Sequence, residues 1–353
     1  MEKKVLMKGN EALAEAAIRC GCRHFFGYPI TPQTELAAYM AKQMPKRGGV
    51  FLQAESEISA INMVYGAAGS GARVMTSSSS PGISLKQEGI SYIAGADLPC
   101  VIINIVRGGP GLGGIQPAQS DYFQATKGGG HGDYRLLVYA PSSVQEMADL
   151  VEKAFDKADE YRMPAMIMGD GMLGQMMEPV SFKPERDLAT LQEKPWATTG
   201  TETKRKKNII NSLYLTPDEL EKLNNERQLR YETIKKNEAM VEEYYTEDAE
   251  LILVAYGTIA RIVMSAVNDL REEGYKVGLI RPITLWPFPT ETIAKYADSV
   301  DAFLAVEMSQ GQMIEDVQLA VNGKAPVHFY GRNGGMIPDQ DTIAEQVKQY
   351  LKK

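Results

Sequence analysis

Cys100–Val106 reads CVIINIV and Pro164–Asp170 reads PAMIMGD, and these two stretches decide the fold. CVIINIV has a single polar side chain, Asn104, and no alternation of apolar with polar residues. A strand wetted on one face alternates, whereas a strand apolar throughout is buried on both faces, as in a parallel sheet covered by helices. Between the two lie the short strand LLVYAP and VQEMADLVEKAFDKADEY (Val144–Tyr161), whose apolar residues recur at helical spacing. Working upstream, the alternation continues. HFFGYP (His24–Pro29), VFLQAE (Val50–Glu55) and RVMTSS read as strands, and helices are expected from Thr34 to Pro45, from Glu57 to about Gly69 and over SLKQEGISYIAGA. Ile58, Ile61, Val64 and Tyr65 would share one face of the second helix, and Asn10 would cap a first helix over residues 11–19 that ends at Gly21. The pattern predicts an α/β domain with a parallel sheet over residues 1–180.

Composition shifts between residues 181 and 248. A polar tract containing KRKK (Lys204–Lys207) precedes TPDELEKLNNERQLRYETIKKNEAMVEEYY. Thr216 as N-cap, Pro217 at the first helical position and Glu219 closing a capping box predict a helix start. Leu220, Leu223, Tyr231, Ile234, Val241 and Tyr244 form a thin apolar stripe, which suggests one long surface helix joining two domains. The KRKK cluster reads as a solvated face. From Ala249 the alternation resumes through LILVAYG, KVGLIRP, DAFLAVE and VHFYG, predicting a smaller α/β domain over residues 249–353.

The chain has 353 residues, 44% hydrophobic and 24% charged, which excludes a disordered or collagen-like protein. Its 38 basic against 45 acidic side chains give a net charge of -7, a poor match to a phosphate-tracking nucleic-acid surface. No apolar run approaches the ~18 residues of a membrane span, and MEKKVLMKGN lacks the features of a signal peptide. Cys20, Cys22 and Cys100 are the three cysteines, so a reducing cytoplasm is the expected location. Three cysteines also cannot hold a four-cysteine iron–sulfur cluster or all-cysteine zinc site.

Ligands of open parallel sheets bind beyond the carboxyl ends of the strands. Past the strands of the first domain come Thr31, then Glu55 and Glu57, then Ser77 to Ser80, then Arg107 with the glycine-rich GGPGLGGIQPAQSD. Each has an ordinary reading: Thr31 opening a helix, the serines forming a turn, Arg107 exposed, the glutamates favoured by a helix dipole. Their convergence on one edge marks a site without naming a reaction. Other motifs fall short. GDG at Gly169–Gly171 lacks a metal-completing asparagine at the needed distance, the next being Asn208. GGPGLGG lacks dinucleotide spacing, and His24, His131 and His328 are scattered, so no metal site is expected in this chain.

GYPITPQTE (Gly27–Glu35), AESEISAINMVYGAAGSGARVMTSSSSPGISLKQEG (Ala54–Gly89) and VRGGPGLGGIQPAQSD (Val106–Asp121) resemble the 2-oxoacid:ferredoxin oxidoreductases. The resemblance is to the subunit with the pyrimidine-binding domain for thiamine diphosphate, and it looks nearest to the branched-chain, 2-oxoisovalerate form. It implies two Rossmann-like three-layer α/β domains: a pyrimidine-binding domain, then a transketolase-C-terminal-like domain, joined by the helical linker. The family's cofactor-activating glutamate falls on Glu57, nine residues before a helical glycine, Gly66, with Glu55 as the competing candidate. By the same resemblance, Thr31 and Arg107 meet the substrate, and Tyr28, Pro29, Ile30, Ser79 and Ser80 join Glu57 around the cofactor. Relatives often read TSGPG where this chain has Ser78–Gly82, so Ser80 is a departure.

The chemistry accounts for these residue types. Thiamine needs a proton exchanged at N1′ of its aminopyrimidine before its C2 can be deprotonated, which a carboxylate can provide. Decarboxylation then relies on the cofactor's electron sink. Arg107 can pair with the substrate carboxylate and Thr31 can orient it. The resemblance further implies that coenzyme A takes the acyl group and that electrons pass to iron–sulfur clusters and ferredoxin. A partner β subunit would hold the diphosphate and Mg2+, and an iron–sulfur, ferredoxin-like subunit would hold the clusters. The 2-oxoglutarate form is the alternative within the family, and a non-catalytic assembly subunit is the alternative of another class.

Overall fold

Residues 4–351 are described by a computed structural model, in which the alternation of the sequence becomes two sheets and a hairpin-like pair. In chain order the first half contains β1 (Val5–Lys8), α1 (Gly9–Arg19), β2 (His24–Gly27), α2 (Thr34–Gln43), β3 (Val50–Gln53), α3 (Glu57–Gly69), β4 (Val74–Ser78) and α4 (Ser80–Gly95). These are followed by β5 (Cys100–Val106), α5 (Tyr122–Thr126), β6 (Leu137–Tyr139), α6 (Val144–Tyr161), β7 (Pro164–Asp170), α7 (Gly171–Gln175) and β8 (Met177–Val180). Strands β6-β7-β5-β4-β2-β3 lie side by side and parallel. Every residue of β4, β5 and β7 is buried, the physical reason these strands carry no polar alternation. Helix α6 covers one face, with Val144, Met147, Val151, Ala154 and Phe155 turned to the core. β1 and β8 pair antiparallel beside this sheet.

The second half contains α8 (Pro217–Glu238), β9 (Val241–Tyr244), β10 (Leu251–Val254), α9 (Gly257–Glu272), β11 (Val277–Pro282) and β12 (Thr284–Trp286). It ends with α10 (Thr290–Tyr296), β13 (Ala302–Glu307), α11 (Met313–Val321), β14 (Val327–Gly331) and α12 (Gln340–Tyr350). Its sheet runs β14-β13-β10-β11-β9, parallel except for β9.

Two strands cross the limits expected at 180/181 and 248/249. β9, from the linker, forms the edge of the second sheet, and β12, from the second half, pairs antiparallel with β6 on the first. Val241 and Tyr244 therefore belong to a strand and not to the helix stripe, because α8 ends at Glu238. The helix itself is clamped to the first domain. Arg227 donates to Asp97 (3.1 Å), Tyr231 packs edge-on against Trp286, and Glu238 accepts from Tyr161 (2.8 Å) and pairs with Lys157 (2.7 Å).

Local expectations hold only in part at three helices, although α8 does start at Pro217 as expected. Asn10 does not cap α1, which begins at Gly9; its amide donates instead to the Pro32 carbonyl across 2.8 Å. Thr216 occupies the N-cap of α8 without a side-chain cap bond. Ile58 is 50% exposed, so the buried face of α3 is carried by Ala60, Ile61, Val64 and Ala68.

Candidate active site

Parallel register brings the carboxyl ends of the first sheet to one edge: Gly27 stands beside Gln53, Ser78 beside Asn104, and Val106 beside Asp170. Whatever follows these residues in sequence is gathered there.

Glu57 is the first residue of α3. Ser56 caps the helix, its Oγ accepting from the Ser59 N–H at 3.2 Å, and the first turn is a favourable place for a carboxylate. Although charged, Glu57 is only 6% exposed. It lies against Gly82 of α4, where an added Cβ would fall 2.7 Å from Glu57 Oε1 and 2.1 Å from Ser78 Oγ. Gly82 is thus required for space. Glu55 differs: it is exposed and accepts a hydrogen bond from the Ser59 hydroxyl.

The hydroxyls of Ser78 and Ser79 are buried at the end of β4 and find no hydrogen-bond partner among the described residues. Buried polar atoms are ordinarily paired, so these two hydroxyls are unmet hydrogen-bonding capacity close to a buried carboxylate. Ser80 is engaged otherwise. Its Oγ accepts from the Arg107 N–H (3.1 Å) and donates to the Arg107 carbonyl (3.2 Å), stitching α4 to β5.

Arg107 closes β5 and forms an isolated bridge with Pro117. Its guanidinium donates from Nη1 to the Thr31 carbonyl (2.8 Å) and from Nη2 to the Leu112 carbonyl (3.0 Å), while its buried Nε has no partner among the described residues. One N–H on each Nη and the Nε–H are left to bind a ligand. The loop Gly108–Gln116 wraps this side chain and meets the second domain, where Gly334 and Gly335 come against Gly108 and Gln116. Thr31 lies on the exposed turn after β2, together with exposed Tyr28 and Pro29 and half-buried Ile30. Buried Gln33 fixes that turn: Nε2 donates to the Tyr28 carbonyl (3.3 Å), and Oε1 accepts from Ser77 Oγ (2.6 Å).

Behind the edge, Asn104 donates to Asp121 across 2.9 Å; burial pushes the Asp121 carboxyl up, against the opposing pull of Asn104 and Ser80. In the sequence Asn104 shows only as one polar residue inside an apolar strand, and Asp121 only as the last residue of the glycine-rich motif. Asp170 of the GDG tripeptide has a structural task. Its Oδ1 accepts the Met172 and Leu173 N–H groups (2.9 and 3.1 Å), and its Oδ2 accepts from Thr258 at the start of α9 (2.5 Å). Burial pushes its carboxyl up, with the Thr258 bond opposing. The cysteines are all buried and free, with burial pushing the Cys22 and Cys100 thiols up to about 12. Among the described residues no group of three or more His, Cys, Asp or Glu is placed to hold a metal, and no helix is long and apolar enough to cross a membrane.

Comparison with known proteins gives this edge its context. Residues 15–244 match the thiamine diphosphate-binding family described as pyruvate flavodoxin/ferredoxin oxidoreductase, and residues 249–343 match pyruvate:ferredoxin oxidoreductase core domain II. The chain is 50% identical to ketoisovalerate oxidoreductase subunit VorB of Methanothermobacter marburgensis over 344 residues, 98% of this chain and 97% of that one. It is 38% identical to 2-oxoglutarate synthase subunit KorA of Methanothermobacter thermautotrophicus over 384 residues, covering 98% and 99%. Among solved structures, a 2-oxoglutarate:ferredoxin oxidoreductase from Magnetococcus marinus with 2-oxoglutarate, coenzyme A and succinyl-CoA bound superposes with a TM-score of 0.89 at 26% identity. That match covers 99% of this chain and 66% of the other. A split-gene transketolase shares the fold at a TM-score of 0.62 and 15% identity.

Proposed function

Since this chain belongs to the 2-oxoacid:ferredoxin oxidoreductases and carries their thiamine diphosphate-binding domain, we propose that it is the pyrimidine-binding subunit of an enzyme oxidising branched-chain 2-oxoacids. The reaction would convert 3-methyl-2-oxobutanoate and coenzyme A to acyl-CoA and CO2, with electrons passing to ferredoxin. The observation that carries the reading is the meeting of Glu57, Ser78, Ser79, Thr31 and Arg107 on one sheet edge, in a chain half identical to a ketoisovalerate oxidoreductase subunit along nearly its whole length.

The edge suits an aminopyrimidine. Its two buried unpaired hydroxyls and the carboxylate over Gly82 offer complementary polar groups, and the Tyr28–Ile30 turn forms the rim. Thiamine diphosphate supplies a nucleophilic carbon and an electron sink. Glu57 holds and returns the proton at N1′, in a position shielded from water. Arg107 offers its free N–H groups to the substrate carboxylate, and the Thr31 hydroxyl orients it. Ser79, with Ser78, lines the ring's polar side, while Ser80 acts by fixing the backbone of Arg107.

Residues 1–180 supply this site, residues 181–248 tie the halves together, and residues 249–353 form the transketolase-C-terminal-like part. Both Asp170 carboxylate oxygens are already bonded within the fold, which supports placing Mg2+ and the diphosphate on a β subunit. The three buried cysteines support placing the iron–sulfur clusters on a further, ferredoxin-like subunit. The assembly would work in the cytoplasm. The test is 2-oxoacid-dependent viologen reduction by the reconstituted complex across several oxoacids. Highest kcat/KM with 3-methyl-2-oxobutanoate supports the reading; highest kcat/KM with 2-oxoglutarate overturns the substrate class, and no turnover of any 2-oxoacid overturns the catalytic reading.

A further inference from the structure

One buried charge near the edge has no place in the chemistry so far. Lys86 of α4 is completely inaccessible to solvent. Its ammonium donates to Thr76 Oγ1 (2.8 Å) and the Ser77 carbonyl (3.0 Å) at the end of β4. An ammonium has three donors, and these are the two partners it finds. Lys86 follows Gly82 by four residues, so the two stand one above the other on the same face of the helix. Gly82 is the residue against which the Glu57 carboxylate rests. The groups facing Lys86 from β4 are neutral, and from α3 comes Glu57, the one ionisable side chain whose charge acts on it. No direct ion pair joins them. The interaction acts across a turn of helix from which water is excluded, where charges are weakly screened.

We propose that Lys86 is a positioning residue for Glu57: its ammonium is the buried counter-charge to that carboxylate, and it pins the strand end that presents Ser78 and Ser79. A carboxylate that repeatedly takes up and returns a proton changes the local charge each time. A cation one turn away offsets part of that change, and its hydrogen bonds to Thr76 Oγ1 and the Ser77 carbonyl hold the strand end in place. Burial in turn pushes the Lys86 ammonium down to about 7, with Glu57 opposing that shift. The Glu57 charge therefore bears on how readily Lys86 is charged. This inference rests on Glu57 being the proton relay, and the experiment separates the two claims.

The first readout is stability. An unfolded lysine titrates at about 10.4, whereas folded Lys86 loses its proton from about 7 upward. Between these values the unfolded chain binds more protons, so this group makes stability rise with pH. The melting temperature of the full chain should rise relative to Lys86→Gln across that interval. In a Glu57→Gln background the rise should begin at lower pH, because the attraction holding the ammonium is gone. The same onset with and without the Glu57 charge overturns the pairing. Lys86→Met serves if Lys86→Gln does not fold, and wild type against Glu57→Gln gives the shift in onset without either.

The second readout is C2 hydrogen–deuterium exchange of bound thiamine diphosphate in the assembled complex. Lys86→Gln keeps hydrogen-bonding capacity but removes the charge, and should change the dependence of the exchange on pH. A merely structural lysine would leave the profile in place, an outcome that overturns the proposal. The relay itself is judged separately: wild-type exchange in Glu57→Gln defeats that reading whatever the stability data show.

Discussion

The guanidinium of Arg107 donates to the main-chain carbonyl of Thr31 across 2.8 Å. These residues are far apart in sequence and follow different strands, yet the bond fixes the two groups proposed to receive substrate in one frame. Since the partner is a carbonyl, the Thr31 hydroxyl is not consumed by it. The bond also makes Arg107 part of the loop architecture as well as a ligand for a carboxylate.

Arg107→Met should therefore act on substrate use more than on cofactor activation. Loss of a charge-assisted hydrogen bond of ~1.5–3 kcal/mol corresponds to a fall in kcat/KM of roughly 10- to 150-fold, much of it in KM. C2 exchange of the bound cofactor should stay close to wild type. Steady-state kinetics and exchange on the same preparation check both halves.

Glu57→Gln keeps size but cannot take up and return a proton. The complex should still bind thiamine diphosphate, while C2 exchange falls by roughly 10²–10⁴-fold, the scale of lost general acid–base catalysis. Wild-type exchange would move attention to Glu55, although that residue is exposed and held by Ser59.

Gly82→Ala tests the packing behind that carboxylate. The new methyl would meet Ser78 Oγ at 2.1 Å and Glu57 Oε1 at 2.7 Å, distances that force one of them aside. We expect a folded protein by circular dichroism and a loss of activity approaching that of Glu57→Gln. Unchanged C2 exchange would show that the relay tolerates displacement there.

Asp170→Ala removes a helix cap and the bond to Thr258 that ties α7 to α9. Stability should drop by about 1–3 kcal/mol in urea unfolding, the range for losing a cap and a buried hydrogen bond. The Mg2+ concentration needed for half-maximal activity of the complex should not change. A raised Mg2+ requirement would restore GDG as a metal motif in this chain.

Ile58 and Leu85, on neighbouring helices α3 and α4, are 50% and 51% exposed beside the edge. A β subunit docked over α3 and α4 would cover both side chains. Leu85→Glu with Ile58→Glu should leave the melting temperature of the single chain within a few degrees of wild type and abolish co-elution with the β subunit. Retained co-elution would place that subunit elsewhere.

The central strands and long helices were legible because each carries its burial in its own residues. CVIINIV, PAMIMGD and the helices Glu57–Gly69 and Val144–Tyr161 occur where their patterns indicate. The short strands β1, β8, β9 and β12 were not, since three or four residues carry no period and their pairing partners are distant in sequence. Convergence of Thr31, Glu57 and Arg107 followed from their places after apolar strands. The orphan hydroxyl of Ser78 and the role of Lys86 did not, because in sequence a lysine on a helix reads as solvated, and only packing turns that face inward.

The exchange of β9 and β12 between the sheets bears on how the molecule can move. The chain passes between the two sheets at residues 239–240, 283 and 287–289, so a hinge rotation of the kind many two-domain enzymes use would have to bend all three crossings, with β9 moving with β11 and β12 staying with β6. The halves are laced by three crossings where a simple two-domain chain has one. The Gly108–Gln116 loop, whose tip, Leu112, is 83% exposed, can move beside Arg107 without bending any of them.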